Sequence, residues 1–348
     1  MTGRAAAIQG GLAVAGLLAA HLTWQREPEH APGSVTLIDA SKVDVTHVHY
    51  ADVNNAVDFE RGRGGSEPPV WIHLVPSAEA PKNDNQSNKG KPEPTKPTPP
   101  VAPPRDLLGA EQAIKVLDQF APFVSPRAFG QLDAGKLKEL GLEAPTRKLD
   151  VTVKGDVRHY VIGQPEKSTG GESFLRDTSD GHVYLMPRGM LADLQNPNHL
   201  VDRRLHAFES DDFDRMVLAA GGKSKDYLQL GRQAHAKAAF APAKTPDKPD
   251  QMAKNWQDSV WRAFPSEILG RGEEPVAGKP TVVFRVDYYD GKSGLGYMEL
   301  AREEATEGVS EEAPAGDIYA RTEHTAGWVK LHNGGQLLTD AQKLLAAP

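Results

Sequence analysis

Three histidines offer the chain's most concentrated prospect of chemistry. His47 and His49 stand two apart in Asp44-Val-Thr-His-Val-His-Tyr50, and His73 lies within Val70-Trp-Ile-His-Leu-Val75. Side chains along a strand alternate between faces, so residues two apart share one. If the two stretches are neighbouring strands, three imidazoles gather on one face. That is enough to hold zinc and leave a fourth position for a hydrolytic water. No carboxylate at helical ligand spacing accompanies them, and a solvated or partner-facing strand face accounts for the same residues. No metal, catalytic or cofactor-binding residue is therefore assigned, and His47, His49 and His73 remain the metal candidates to test.

Other motifs are incomplete. Gly222-Lys-Ser224 and Gly291-Lys-Ser293 invite a phosphate-loop reading, but the glycine needed five residues earlier is replaced by Val217 and Val286. Both triplets also fall between expected antiparallel strands and read as turns. Gly171-Glu-Ser173-Phe lacks the frame of a serine nucleophile elbow. Asp211, Asp212 and Asp214 lack the glycine and distal glutamate of a calcium loop. Trp71, Trp256, Trp261 and Trp328 could stack a sugar or sit in cores.

The elements that would position these residues read as one unit written twice along the chain. Gly181-His-Val-Tyr-Leu-Met-Pro-Arg-Gly-Met-Leu191 recurs as Gly327-Trp-Val-Lys-Leu-His-Asn-Gly-Gly-Gln-Leu337, and Asp44–Tyr50 finds a counterpart in Asp212–Leu218. In that second copy Arg215 and Val217 stand where His47 and His49 do. Each unit reads as a strand pair, a helix, two hairpins and a short helix. Helices are expected at Ala110–Phe120 and Ala134–Leu140, and along Met252, Trp256, Val260 and Phe264. Hairpins are expected at Lys148–Ile162, Phe174–Leu185, Thr281–Ala301 and Ile318–Leu331. Val43–Tyr50 should be a strand with Thr46, Val48 and Tyr50 on one face. The expected class is α+β: two tandem diverged repeats of antiparallel hairpins with segregated helices.

The chain has 348 residues, a formal charge of -7 and no cysteine. It therefore lacks the basic footprint of a nucleic-acid binder, any disulfide and any thiolate metal site. Residues 5–24 run without a formal charge, long enough as a helix to cross a hydrocarbon core. Arg4 precedes them, and Glu27 and Glu29 offset Arg26, so the bulk of the chain is expected outside the cytoplasm. The expected organisation is a cytoplasmic stub (1–4), a transmembrane anchor (5–24), a linker (25–33), a first repeat (34–205) and a second (206–348). Residues 77–104, rich in Pro, Lys, Asn, Ser and Thr, are expected to be a disordered insertion.

One series of motifs resembles a family. It begins with Leu140-Gly-Leu-Glu-Ala-Pro145 before an alternating strand, then Val161-Ile-Gly163 and Val183-Tyr-Leu-Met-Pro187. It ends with Asp202-Arg-Arg-Leu205 leading into Phe208 and Asp211-Asp-Phe213. Together with Trp71, Pro76 and the Ala110–Phe120 helix, this order resembles the bacterial family catalogued as domain of unknown function 4340. The likeness covers residues 35–218, with the second half a diverged copy that lacks the Leu-Gly-Leu…Pro motif near Gly270–Pro280. It implies a protein of the bacterial cytoplasmic (inner) membrane, anchored by one N-terminal helix and otherwise extracytoplasmic. It also implies company with components of gliding-type ABC transporters, and carries no catalytic residues.

The expectation is thus a non-enzymatic envelope scaffold without cofactor, partnered by an ABC-type permease. The alternatives are an extracytoplasmic module for cell-wall polymer or glycan, and a zinc-dependent envelope hydrolase. N-terminal sequencing of the mature protein should find residues 5–24 retained; a start near residue 20–30 would remove the anchor.

Overall fold

The computed structural model describes residues 33–53, 55–64, 68–76, 104–163, 173–231, 239–275, 279–303 and 317–347. The expected anchor 5–24 and nearly all of the insertion 77–104 lie outside them. Among the described residues no helix is long and apolar enough to cross a membrane.

The first half runs β1 (Val35–Ile38), β2 (Val45–Ala51), β3 (Asn55–Arg61), β4 (Val70–Pro76) and β5 (Arg105–Leu108). Then come α1 (Glu111–Asp118), β6 (Phe123–Ser125), β7 (Ala128–Gln131) and α2 (Ala134–Glu139). The hairpins β8 (Arg147–Val153) with β9 (Asp156–Ile162) and β10 (Phe174–Asp177) with β11 (His182–Leu185) follow, then α3 (Met190–Gln195). The second half runs β12 (Arg215–Ala220), β13 (Lys223–Leu230), β14 (Ala239–Pro242), α4 (Gln251–Arg262) and β15 (Pro265–Ile268). It continues through β16 (Thr281–Asp290), β17 (Ser293–Arg302), β18 (Ile318–Thr322) and β19 (Val329–Leu331) to α5 (Gly334–Ala346).

Two wide antiparallel sheets, a two-stranded antiparallel pair of β1 with β6, and few helices result. The nine-stranded sheet has the order β5-β4-β3-β2-β8-β9-β10-β11-β7, and the eight-stranded sheet β14-β13-β12-β16-β17-β18-β19-β15. Tight turns set the registers. Lys154-Gly155, both at positive φ, close β8 onto β9, and Gly221-Gly222 close β12 onto β13.

Each sheet buries one face under helices. In the first, Val48, Tyr50, Val57, Phe59, Ile72 and Val151 form one core with Val116 and Leu117 of α1 and Met190 and Leu194 of α3. In the second, Met216, Leu218, Phe284, Val286 and Leu300 pack with Trp256 and Val260 of α4 and Leu338, Ala341 and Leu344 of α5. Helix α4 starts where the Asp250 carboxylate accepts hydrogen bonds from the amides of Met252 and Ala253. A smaller cluster of Leu142, Phe174 and Val183, packed with Leu137 of α2, covers the opposite face at the β10–β11 end of the first sheet.

Three details differ from the sequence reading. Thr46 is exposed while Val45 is buried, because a register shift between Val45 and His47 against β8 breaks the alternation. Met252 and Phe264 are exposed, since the buried stripe of α4 is Ala253, Trp256, Gln257 and Val260. Strands β1, β3, β5, β6, β7, β14 and β15 are additional; all but β3 are only three or four residues long, too short for alternation to register.

The two halves are joined through side chains. The buried Asp202 carboxylate accepts from His324 Nε2 at 2.9 Å and Arg204 Nη2 at 2.7 Å. Burial raises the Asp202 pKa, but the bonds from His324 and Arg204 outweigh it and hold the carboxyl well below the usual range. Glu323 accepts from His206 Nδ1 at 3.1 Å and from the amides of Ala207 at 3.1 Å and Tyr297 at 3.0 Å. Beyond these, Arg271 lies over the Trp71 ring at 3.5 Å, and Arg105 Nε donates to Glu273 at 3.0 Å.

Trp256 fills the second core and donates its indole N–H to the Leu337 carbonyl at 3.0 Å, tying α4 to α5. Trp256→Ala should destabilise the protein by about 3–5 kcal/mol in urea denaturation, the range for emptying a large buried aromatic site. A loss under about 1 kcal/mol would show that this core does not form.

Candidate functional site

The pleat that buries Val48 and Tyr50 turns His47 and His49 to the uncovered face of the first sheet. Cross-strand register then builds a pattern wider than three histidines. Asp106 on β5 stands opposite His73 on β4, and His73 opposite Asp58 on β3. Asp58 faces His49 on β2, His49 faces Asp150 on β8, and Asp150 faces His159 on β9. Carboxylate and imidazole thus alternate in one row across six neighbouring strands.

The bonds within the row are lateral. His49 Nδ1 meets Asp58 Oδ1 at 2.7 Å, and His47 Nε2 meets the same oxygen at 3.0 Å. His73 Nδ1 lies 2.7 Å from Asp106 Oδ1, and its Nε2 lies 3.3 Å from Glu60 Oε2. His159 Nδ1 lies 2.8 Å from Asp150 Oδ1. The structure therefore brings His47 and His49 together on Asp58 and places His73 two strands away, engaged with other carboxylates. Among the described residues no group of three or more His, Asp or Glu side chains is arranged to hold a metal ion.

The electrostatics are strongest at the centre. The hydrogen bond to Asp58 raises the His49 pKa above its ordinary value; burial opposes this, and the Asp58 and Asp150 charges reinforce it. For Asp58 burial acts upward, but the bonds and charges of His47 and His49 outweigh it and hold the carboxyl well below its ordinary value.

The uncovered face of the second sheet carries arginine instead. Arg215 pairs with Asp226 at 3.4 Å, and Arg285 with Asp287 at 2.7 Å and Glu299 at 2.8 Å. Arg321 reaches the other oxygen of Glu299 at 2.8 Å. Arg285 also lies over the Tyr297 ring and Arg215 over the Tyr289 ring, each at 4.3 Å. The bond to Asp287 raises the Arg285 pKa further, so this face keeps its charge across the physiological range.

The remaining motifs are structural. Gly222 and Gly291 occupy strand-to-strand turns at positive φ. Asp212 accepts from the Glu209 amide and Asp214 from the Gly291 amide, as turn residues do. Ser173 is buried just before β10, whereas Gly171 and Glu172 lie outside the described residues. Trp256 and Trp328 are core, Trp71 lies against Arg271, and Trp261 stacks on His206. The sequence reading missed Asp58, Asp106, Asp150 and His159, which only strand register aligns with the histidines. Asp150 and His159 sit inside a hairpin that the sequence did announce, so their pairing was the legible part.

Residues 124–262 match the model of the family described as domain of unknown function (DUF4340), the family that the motifs resemble. No curated protein matches the chain, and no solved structure does.

The signs of the two shifts define a pH window. His49, raised from 6.5, contributes stability that is complete below 6.5 and lost as pH rises through its folded value. Asp58, lowered from 3.8, contributes stability present above 3.8 and lost as pH falls through its folded value. The pair should therefore stabilise most between those limits. In an NMR titration of the full chain, His49 should titrate above 6.5, and Asp58→Asn should bring its midpoint down. An unchanged midpoint in Asp58→Asn would show that the two groups are not coupled.

Proposed function

We propose that the protein is a non-enzymatic, single-pass envelope protein whose extracytoplasmic part is an accessory or scaffold subunit of an ABC-transporter-type complex. It would dock its membrane partner through the uncovered face of the first sheet. The observation that carries this reading is the row from Asp106 to His159, six alternating groups held in register by paired strands. Its imidazoles are each tied to a carboxylate and do not converge on one reacting centre. Such a surface suits recognition, where an ordered array of donors and acceptors meets a complementary one.

The two halves are further proposed to be diverged copies of one unit. The second sheet's order follows the first when β14, β13 and β12 stand for β4, β3 and β2, and β16 to β19 for β8 to β11. β15 then takes the edge place of β7. In that alignment Arg215–Asp226 replaces His47–Asp58. One face would hold a constant charge pattern, and the other a pattern that responds to protons.

A photo-crosslinking residue placed at Thr152 or His159, on the first sheet's uncovered face, should yield an adduct with a multi-span membrane protein in native membranes. The same residue at Glu267, exposed on the second sheet, should not. Equal adducts at both sites, or none at either, would contradict a docking role for the row. The purified protein should carry no stoichiometric zinc; zinc lost on joint His47→Ala and His49→Ala substitution would favour the hydrolase reading.

A further inference from the structure

At the edge of the first sheet the second half reaches onto the strands that carry the row. Edge strand β5 pairs with β4 on one side. On its other side the Asp106 carbonyl accepts the Arg271 amide at 2.8 Å, and the Leu108 carbonyl accepts the Asp202 amide at 2.8 Å. Glycines permit the approach. A Cβ at Gly270 would stand 2.9 Å from the Asp106 amide nitrogen, and one at Gly327 would stand 2.4 Å from the Gly270 carbonyl oxygen. Arg105 Nε donates to Glu273 at 3.0 Å and its Nη2 to the Ile268 carbonyl, while Glu273 also accepts the Gly270 amide at 2.6 Å. Main chain and ion pair together fix residues 268–273 against β5.

This seam sets one side chain of the second half on the row's own face. Ile72 belongs to the core, so its neighbours Trp71 and His73 share the uncovered face. The Arg271 guanidinium carbon lies 3.5 Å from the centre of the Trp71 ring, closer than the 4.3 Å of Arg215 and Arg285 over their tyrosines. At that distance it rests on the ring face, and its N–H groups are kept for another partner. Arg215, Arg285 and Arg321, which also lie over rings, each hold a carboxylate. Arg271 is exposed, and among the described residues no carboxylate is paired with it. The carboxylates beside Trp71 are engaged elsewhere, Glu60 and Asp106 with His73 and Glu273 with Arg105.

We infer that the docking surface is composite: Arg271 of the second half, seated on Trp71, receives an aspartate or glutamate side chain of the membrane partner at the β4–β5 end of the row. The inference rests on the docking reading of the row and names one contact within it. An ion pair open to water is worth little. A partner that covers the Trp71 ring and the guanidinium excludes that water, and a fork already seated loses little freedom on binding. Tryptophan and arginine are also the side chains over-represented where truncation weakens an interface most.

The test puts an amine in place of the guanidinium. In native membranes carrying full-length Arg271→Lys, a water-soluble carbodiimide should activate the partner's carboxyl as an O-acylisourea. The new amine should then displace the urea and leave an amide bond. Mass spectrometry should place that bond on an aspartate or glutamate of the same multi-span protein that the Thr152 photo-adduct reaches. Arg271→Gln, which keeps the main-chain N–H bonded to Asp106, should retain the wild-type melting temperature and lower the Thr152 adduct about tenfold. Arg215→Gln on the second sheet should leave that adduct unchanged. A Thr152 adduct undiminished by Arg271→Gln would overturn the inference and spare the docking reading. So would a Thr152 adduct accompanied by carbodiimide coupling only to this chain's own carboxylates, or by none. Absence of the Thr152 adduct in the wild-type chain would overturn both.

Discussion

Everything in this molecule follows from one constraint: each wide antiparallel sheet has helices against one face, and the pleat forces every second side chain onto the other. On the covered faces the alternation delivers Val48, Tyr50, Phe59 and Val151 to one core and Met216, Leu218, Val286 and Tyr288 to the other. The uncovered faces receive the intervening residues, which must be polar yet are too crowded to be left to water alone. Neighbouring strands lie about 4.8 Å apart, so opposed charges in register fall within bonding reach. The sheets solve this with the same device and different cations, imidazole in the first and guanidinium in the second.

The cations set how the faces respond to their surroundings. Guanidinium keeps its charge and stacks on Tyr289 and Tyr297, so the second face is constant. Imidazole changes charge near neutrality, and His49 is biased toward the protonated form by Asp58. Between the sheets, Asp202 and Glu323 hold residues 202–207 through His324, His206 and backbone amides. Those carboxylates sit where the chain leaves one sheet for the other, so they fix how the second half begins.

Much of this was legible in the sequence. Hairpins at Lys148–Ile162, Phe174–Leu185 and Thr281–Ala301 announced themselves through alternation around glycine turns. The motif residues Leu140 and Gly163 prove to be in contact, since a Cβ at Gly163 would collide with the Leu140 carbonyl oxygen. Short strands such as β7 and β15 were not legible, because four residues carry little periodicity and their pairing partners lie far along the chain. The candidate site was half legible. Alternation placed His47 and His49 on one face, but nothing local showed that Asp58 and Asp106 would stand beside the histidines. Register is a tertiary fact, and it turned three candidate metal ligands into members of a longer row.

The central claim is that the imidazole row is a contact surface, and the most direct measurement is imidazole accessibility by carbethoxylation with mass-spectrometric readout. The labelling of His47, His49, His73 and His159 should be compared between native membranes and the purified chain. His199, exposed, and His182, half-buried, both elsewhere on the first half, serve as internal references. The account predicts that the four row histidines are protected in membranes and labelled after purification, while the references react equally in both. Equal labelling of the row in the two preparations would contradict it.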